Sequence, residues 1–150
     1  MTLNLRVGLQ EAAQRIRPIR ENYQDFPIEQ GFDWSAIAGL ASGGLYLVVF
    51  RSVRRSDADL DMLRWFDDLA YAEALNSGGL LRYFKGVADE RGHCLSFCLW
   101  ESREAALRAS GGEKHARAAS ITAAMYVSYD LERYTLTSSG FGRSPDFRRL

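Results

Sequence analysis

From residue 45 onward the chain alternates between two hydrophobic rhythms, and that alternation limits the folds open to it. "LYLVVFRSV" (45–53) is β-branched and aromatic, with apolar side chains at odd and even positions alike, as in a central strand buried on both faces. In "RRSDADLDMLRWFDDLAYAEALNSGG" the residues Leu60, Leu63, Phe66, Ala70 and Ala74 recur at helical spacing, with Met62 and Leu69 beside them. Ser56 and Asp59 form a capping-box-like start in which Asp stands for the usual Glu or Gln, and Gly78–Gly79 close the helix. "LLRYFKGVA" (80–88) reads as a second strand, "DERG" (89–92) as a tight turn, and "HCLSFCLW" (93–100) as a third strand antiparallel to the second. "ESREAALRASGG" (101–112) starts a helix capped by Ser102, with Glu104 near the positive end of the helix dipole. Gly111–Gly112 interrupts it, "EKHARAASITAAMYVSY" resumes it, and "DLERYTLTS" (130–138) supplies a fourth strand. The predicted order is β-α-β-β-α-β, an α+β domain in which helices cover one face of a four-stranded antiparallel sheet.

The flanking segments read differently. Residues 1–44 are expected to form an arm with short helices: "LQEAAQRIRPIR" suits a helix that Pro18 ends or kinks. In "YQDFPIEQGFDW", Phe26, Phe32 and Trp34 stand among Pro, Gly and charges, a pattern that anchors a loop onto a domain or a partner. Asp33 or Ser35 can cap a short helix through Leu40, which "ASGG" ends. Residues 138–150 read as a flexible basic tail after the 45–137 domain. The sheet face away from the helices carries enough apolar side chains to need a cover. Only the arm remains in the chain to supply one, so a second subunit is the expected lid.

The segment "HCLSFCLW" invites a metal or redox reading, which strand geometry rejects. Cys94, Ser96, Cys98 and Trp100 share one face, and Leu95, Phe97 and Leu99 the other. Cysteines four apart in a strand are separated by about 13 Å, whereas a disulfide needs Cα atoms within about 7 Å and zinc needs sulfur at about 2.3 Å. Both read as small buried hydrophobes, with no metal and no cofactor expected. Nineteen basic and nineteen acidic side chains give zero net charge, which argues against a nucleic-acid partner. No window approaches ~18 consecutive apolar residues, so no membrane span is expected. The N-terminus lacks the basic start and apolar core of a signal peptide, which with two cysteines suggests reduced thiols in a cytoplasm.

In "FCLWESREAALRASGGEKHARAAS" a strand ending in an apolar-Trp-Glu step leads into an Ala-rich helix, a small break and a Lys-His pair. This run resembles the dimeric α+β barrel superfamily, whose best-known members are antibiotic-biosynthesis-monooxygenase-like proteins of ferredoxin-like fold. The resemblance spans about residues 45–137. It implies a homodimer whose sheets pair face to face around a cavity for a small hydrophobic or aromatic molecule. Its members include cofactor-independent oxygenases of aromatic polyketides, haem-degrading oxygenases, lactone isomerases and stress-response proteins, so an oxygenase, a lyase or isomerase, and a non-catalytic binding barrel all stay open. Haem degradation in that superfamily uses a first-strand Asn and a Trp and His from the second helical region. The strand "LYLVVFRSV" holds no Asn, and the second helix has His115 but no Trp. RNA-recognition domains share the element order, but "RGHCLSFC" keeps only Arg91-Gly92 of their aromatic third-strand motif.

Six residues are candidates for the site. His115, as an imidazole, suits a base or hydrogen-bond donor, or is a surface histidine at a helix start. Arg51 either meets a carboxylate such as Glu132 or points into the cavity to hold an enolate oxygen, and Arg82 poses the same choice. Tyr83 and Tyr134 can donate to a phenolic substrate or fill the sheet; Trp100 can stack on a ligand or belong to the core. Asp67 and Asp68 are adjacent on a helix and diverge, which makes them a poor acid pair.

Overall fold

The computed structural model describes residues 2–41, 43–139 and 144–150. In chain order these form α1 (Leu3–Ala13), a short strand β1 (Arg17–Pro18), a 3-10 turn (Tyr23–Asp25), α2 (Ile28–Gly31), β2 (Phe32–Asp33) and a second 3-10 turn (Ser35–Ile37). There follow β3 (Leu45–Arg54), α3 (Leu60–Ser77), β4 (Leu80–Phe84), β5 (His93–Trp100), α4 (Arg103–Ser110), α5 (Glu113–Thr122), a third 3-10 turn (Ala123–Met125), β6 (Tyr126–Thr137) and β7 (Asp146–Arg149). No described helix is long and apolar enough to cross a membrane.

The main sheet runs β4-β5-β3-β6-β7, antiparallel throughout, so the four strands expected from residue 45 onward take the 2-3-1-4 order of the ferredoxin-like arrangement. The fifth strand was not expected. Residues 146–149 pair with the end of β6, setting Phe147 opposite Leu136, and the Phe147 ring meets Trp34 at 5.2 Å. One half-buried aromatic thus orders part of a segment whose composition reads as a tail; residues 140–143 of that tail lie outside the described residues. β6 also begins four residues early, because Tyr126, Ser128 and Tyr129 pair with the end of β3 instead of continuing the helix. Asp59, rather than Ser56, caps α3, accepting from the Met62 N–H at 3.0 Å. Ser102 caps α4 as expected, accepting from Ala105 N–H at 3.1 Å.

Register divides the sheet into two faces. Leu47 lies opposite Leu99 and Val49 opposite Phe97; one position on, Val48 lies opposite Cys98 and Tyr46 opposite Trp100. The first set faces the N-terminal arm. Leu9, Ile16, Ile28, Phe32, Trp34 and Ile37 are almost fully buried there against Leu47, Leu95, Phe97, Leu99 and Leu136. Phe32 packs edge-on to Phe84 and Phe97 at 5.0 and 5.2 Å, and the Trp34 indole donates to Ile28 O at 3.0 Å. Six large side chains buried this way contribute on the order of 10 kcal/mol before the entropy of ordering the arm is subtracted. Polar ties fix its path: Gln14 donates to Leu81 O, Arg82 to Ala13 O, and Arg6 pairs with Glu101 at 2.8 Å. The face for which a second subunit was the expected lid is therefore covered by the chain's own arm.

The second face carries the helices. α4 lies against β3 and β5, α3 leans on β4, and α5 packs mainly on α3. Tyr46, Leu80 and Trp100 are buried there against Ala74, Ala105, Ala106 and Ala109, small side chains that let helix and sheet approach closely. The N-cap of α5, Gly112, has no side chain to cap with; Glu73 of α3 takes that role from outside, its Oε1 accepting from His115 N–H at 3.0 Å.

Candidate functional site

On the helix-bearing face a strip of the sheet stays partly open. Val48, Phe50, Ser52, Tyr83, Ser96 and Cys98 are all half-buried, and Tyr129 and Leu131 on β6 are exposed. Strand alternation puts these side chains on one side, and α3 and α5 stack on each other rather than spreading across β6. The result is a shallow cleft with a sheet floor and α3 as one wall.

Asp67 of α3 organises its polar groups. It lies four residues after Leu63 and three before Ala70, so helical spacing turns it toward the sheet. The Tyr83 hydroxyl donates to Asp67 Oδ1 at 2.8 Å, and Lys85 Nζ sits 3.0 Å from Asp67 Oδ2 and 3.6 Å from Asp68 Oδ1. Tyr71 packs on the Tyr83 ring at 5.3 Å. Further along the floor Tyr126 and Tyr129 have ring centroids 5.1 Å apart, with Phe50 6.3 Å from Tyr129. Ser96 accepts from Gly86 N–H at 3.0 Å, and Leu95 O lies so close to Gly86 that any side chain there would strike it.

The titratable groups are tuned in one direction. Burial, then the field of Asp67 and the hydrogen bond to it, push the Tyr83 phenol far above its usual range. Burial raises Cys98, with Asp67 adding, and raises Cys94, with Arg54 opposing. Tyr126 is raised by burial against the pull of Arg54. Tyr129 is 49% exposed as a residue, yet burial of its phenol end raises it first and Tyr126 second. At neutral pH these phenols and thiols are all protonated, so the cleft presents neutral hydrogen-bond donors around a carboxylate.

The six sequence candidates do not form one site: Arg51 and Tyr134 share Glu132, and Arg82 and Tyr83 border a separate depression of about 240 Å³ beside Gln10, Gln14 and Tyr71. Tyr83 lies in the cleft, and Trp100 lies in the core beside it. Arg51, Arg82 and Tyr134 face the arm: Arg51 pairs with Glu132 at 2.6 Å, Arg82 holds Ala13 O at 2.9 Å, and the Tyr134 hydroxyl donates to Glu132 Oε1 at 2.8 Å. Burial and Glu132 push Tyr134 up to about 12. His115 sits in the first turn of α5, its Nδ1 buried without a hydrogen-bond partner, and no hydrogen bond joins it to the Tyr83–Asp67 pair among the described residues. Sequence reading passed over Asp67, Lys85, Tyr126, Tyr129 and Arg54. Asp67 was weighed only with Asp68; the signal for it alone was its place on the helix's apolar stripe. Among the described residues no three His, Cys, Asp or Glu side chains converge to hold a metal ion.

The strand order and the helices on one face define a ferredoxin-like α+β fold. The same ferredoxin-like architecture recurs in the cofactor-independent oxygenase SnoaB from Streptomyces nogalater, at 12% identity and TM-score 0.51 over 66% of this chain and 98% of that one. It recurs in Rv0793 from Mycobacterium tuberculosis, at 18% identity and TM-score 0.53 over 59% and 91%. A Caulobacter crescentus CB15 protein classed with the antibiotic biosynthesis monooxygenases matches at 21% identity and TM-score 0.53 over 60% and 87%. The chain belongs to the PB2B2.08-like family, whose model matches residues 4–145 and so takes in the arm as well as β3, β4, β5 and β6. A curated relative, UPF0643 protein PB2B2.08 of Schizosaccharomyces pombe (strain 972 / ATCC 24843), is 29% identical over 146 residues, covering 85% of this chain. The chain spans 66% of that relative's length.

Proposed function

We propose that this chain binds a small, oxygen-bearing aromatic or polyketide-like molecule in the helix-side cleft and oxygenates it without a cofactor. The observation that carries the reading is Asp67: its carboxylate accepts from the Tyr83 hydroxyl at 2.8 Å and pairs with Lys85 at 3.0 Å, on the helix wall above the half-open strip. Asp67 takes the proton that leaves the substrate. Neutral tyrosine hydroxyls hold the enolate oxygen left behind; the enolate carbon bonds to O2, the resulting peroxide takes the proton back from Asp67, and loss of water leaves a carbonyl, the substrate itself supplying the electrons. The fold neighbour SnoaB, named a cofactor-independent oxygenase, supports this choice of chemistry. Oxygen uptake with a panel of anthrones and naphthols tests it. Uptake by the wild type that falls at least tenfold in Asp67→Asn is the expected result; no uptake with any of them sinks the oxygenase reading.

A second reading, a non-catalytic binding module, is favoured by the raised phenols and thiols, which act as hydrogen-bond donors rather than as ionised nucleophiles. Native mass spectrometry of freshly purified protein separates the two, since a binding module retains its ligand unchanged. Turnover that consumes no oxygen would assign the cleft to lyase or isomerase chemistry instead.

The arm fills the role of a second subunit on the sheet's other face, so the cleft is complete in one chain. A face-to-face homodimer requires the arm to leave that face. The free cysteines Cys94 and Cys98 suit a reducing compartment, the cytoplasm.

A further inference from the structure

Among the described residues, one cation in the cleft has no counter-charge. Arg54 ends β3 on the same side as Phe50 and Ser52, directly opposite Tyr126 in the ladder. Its Nε is buried with no hydrogen-bond partner, and among the described residues its guanidinium forms no ion pair. Nearby charges are otherwise engaged: Asp67 by Lys85 and Tyr83, and Arg55 with Asp57 at 3.0 Å. A half-buried guanidinium left without an anion is unfavourable, because folding removes its water and supplies nothing in return. Arg51, three positions earlier on the opposite face, shows the usual solution, with a carboxylate and two carbonyls around it.

The surroundings of Arg54 are shaped for an aromatic body. Phe50, Tyr129 and Tyr126 form a row of rings leading to it, with successive centroids 6.3 and 5.1 Å apart. We infer that Arg54 reads a carboxylate on the ligand, whose ring lies on the Phe50–Tyr129–Tyr126 row. This rests on the cleft being the ligand site and narrows its substrate class to aromatic carboxylates. Guanidinium and carboxylate match as a planar fork, which a phenol or ketone cannot reproduce.

The test titrates the full chain at pH 7.5 with 1-naphthoate and with 1-naphthalenemethanol, the same ring without the charge, by calorimetry. The expected result is at least tenfold tighter binding of 1-naphthoate, a difference that Arg54→Gln abolishes and Arg55→Gln leaves intact. Arg54→Gln should also keep or raise the thermal midpoint, since it removes an unpaired charge; a purely structural arginine would lower it. If the alcohol binds as well as the naphthoate, the carboxylate inference is overturned while the cleft reading stands. Binding of neither probe overturns both. Preference for naphthoate that survives in Arg54→Gln assigns the anion to another residue and overturns the role of Arg54.

Discussion

Arg51 Nε lies 2.6 Å from Glu132 Oε2 across the β3–β6 ladder, while its two terminal nitrogens donate to Gln24 O and Phe26 O. One guanidinium thus bonds the sheet to the arm with every nitrogen occupied, and Glu132 spends its other oxygen on Tyr134. Replacing Arg51 by Ala leaves a half-buried carboxylate and two carbonyls unpaired, a loss of about 2–3 kcal/mol. Arg51→Lys keeps the charge but lacks the fork and should fall between. Urea denaturation measures the loss. Ligand affinity at the cleft should not change; a variant of native stability with impaired binding would contradict this role.

Trp34 is the centre of the arm's anchorage, only 2% exposed and packed on Phe32, Phe97 and Phe147. Trp34→Ala should cost about 3–5 kcal/mol through the cavity it leaves, and Trp34→Phe less, mainly the indole bond to Ile28 O. Deleting residues 1–40 strips the cover from Leu47, Phe97 and Leu99 altogether, and the product should be insoluble or bind a hydrophobic dye. A truncated chain that stays folded with an unchanged thermal midpoint would show that the arm is an accessory.

How far the sequence reaches is visible at particular residues. Most strands and helices from 45 to 137 follow from hydrophobic period, caps and glycines, the start of β6 at Tyr126 being the exception, and the alternation of Cys94 to Trp100 assigned each side chain to the face it takes in the structure. Phe26, Phe32 and Trp34 announced anchorage, but not its address, because only the three-dimensional path of the arm decides whether an aromatic reaches its own sheet. Arg51 and Arg82 illustrate a deeper limit: on a strand, parity gives a side and not what occupies it. The Tyr83–Asp67 pair joins a strand to a helix sixteen residues away, and no local pattern marks such a contact.

Acid should loosen the arm at the β4–β5 turn. Asp89 accepts from Gln24 Nε2 at 3.0 Å, from the Arg91 side chain and from the backbone N–H of Arg91 and His93. The Gln24 bond first, then Arg91, hold its carboxyl well below the usual range. A carboxyl depressed in the folded state adds stability that is full above its unfolded value, about 3.9, and is lost as pH falls below it. Thermal midpoints of wild type and Asp89→Asn should therefore differ at pH 6 and converge between about pH 4 and 2. Parallel curves over that window would rule Asp89 out.

The Tyr83 hydroxyl offers the cleanest separation of site from scaffold. Tyr83→Phe deletes one oxygen, keeps the ring against Tyr71, and leaves Asp67 with its Lys85 partner. A neutral donor bonded to a carboxylate is worth about 1.5–3 kcal/mol, and Lys85 and water replace part of it at this half-open position, so stability should fall by about 1 kcal/mol. The effect on chemistry should be larger. Asp67 then meets a ligand without the donor that orients it, and turnover or affinity for a naphthol should drop about tenfold, about 1.4 kcal/mol in binding terms. Paired calorimetry and urea titration read both quantities from one preparation. Should the variant bind as tightly as the wild type while losing stability, the Tyr83–Asp67 pair would be scaffold, and the ligand site would lie nearer Tyr126 and Tyr129.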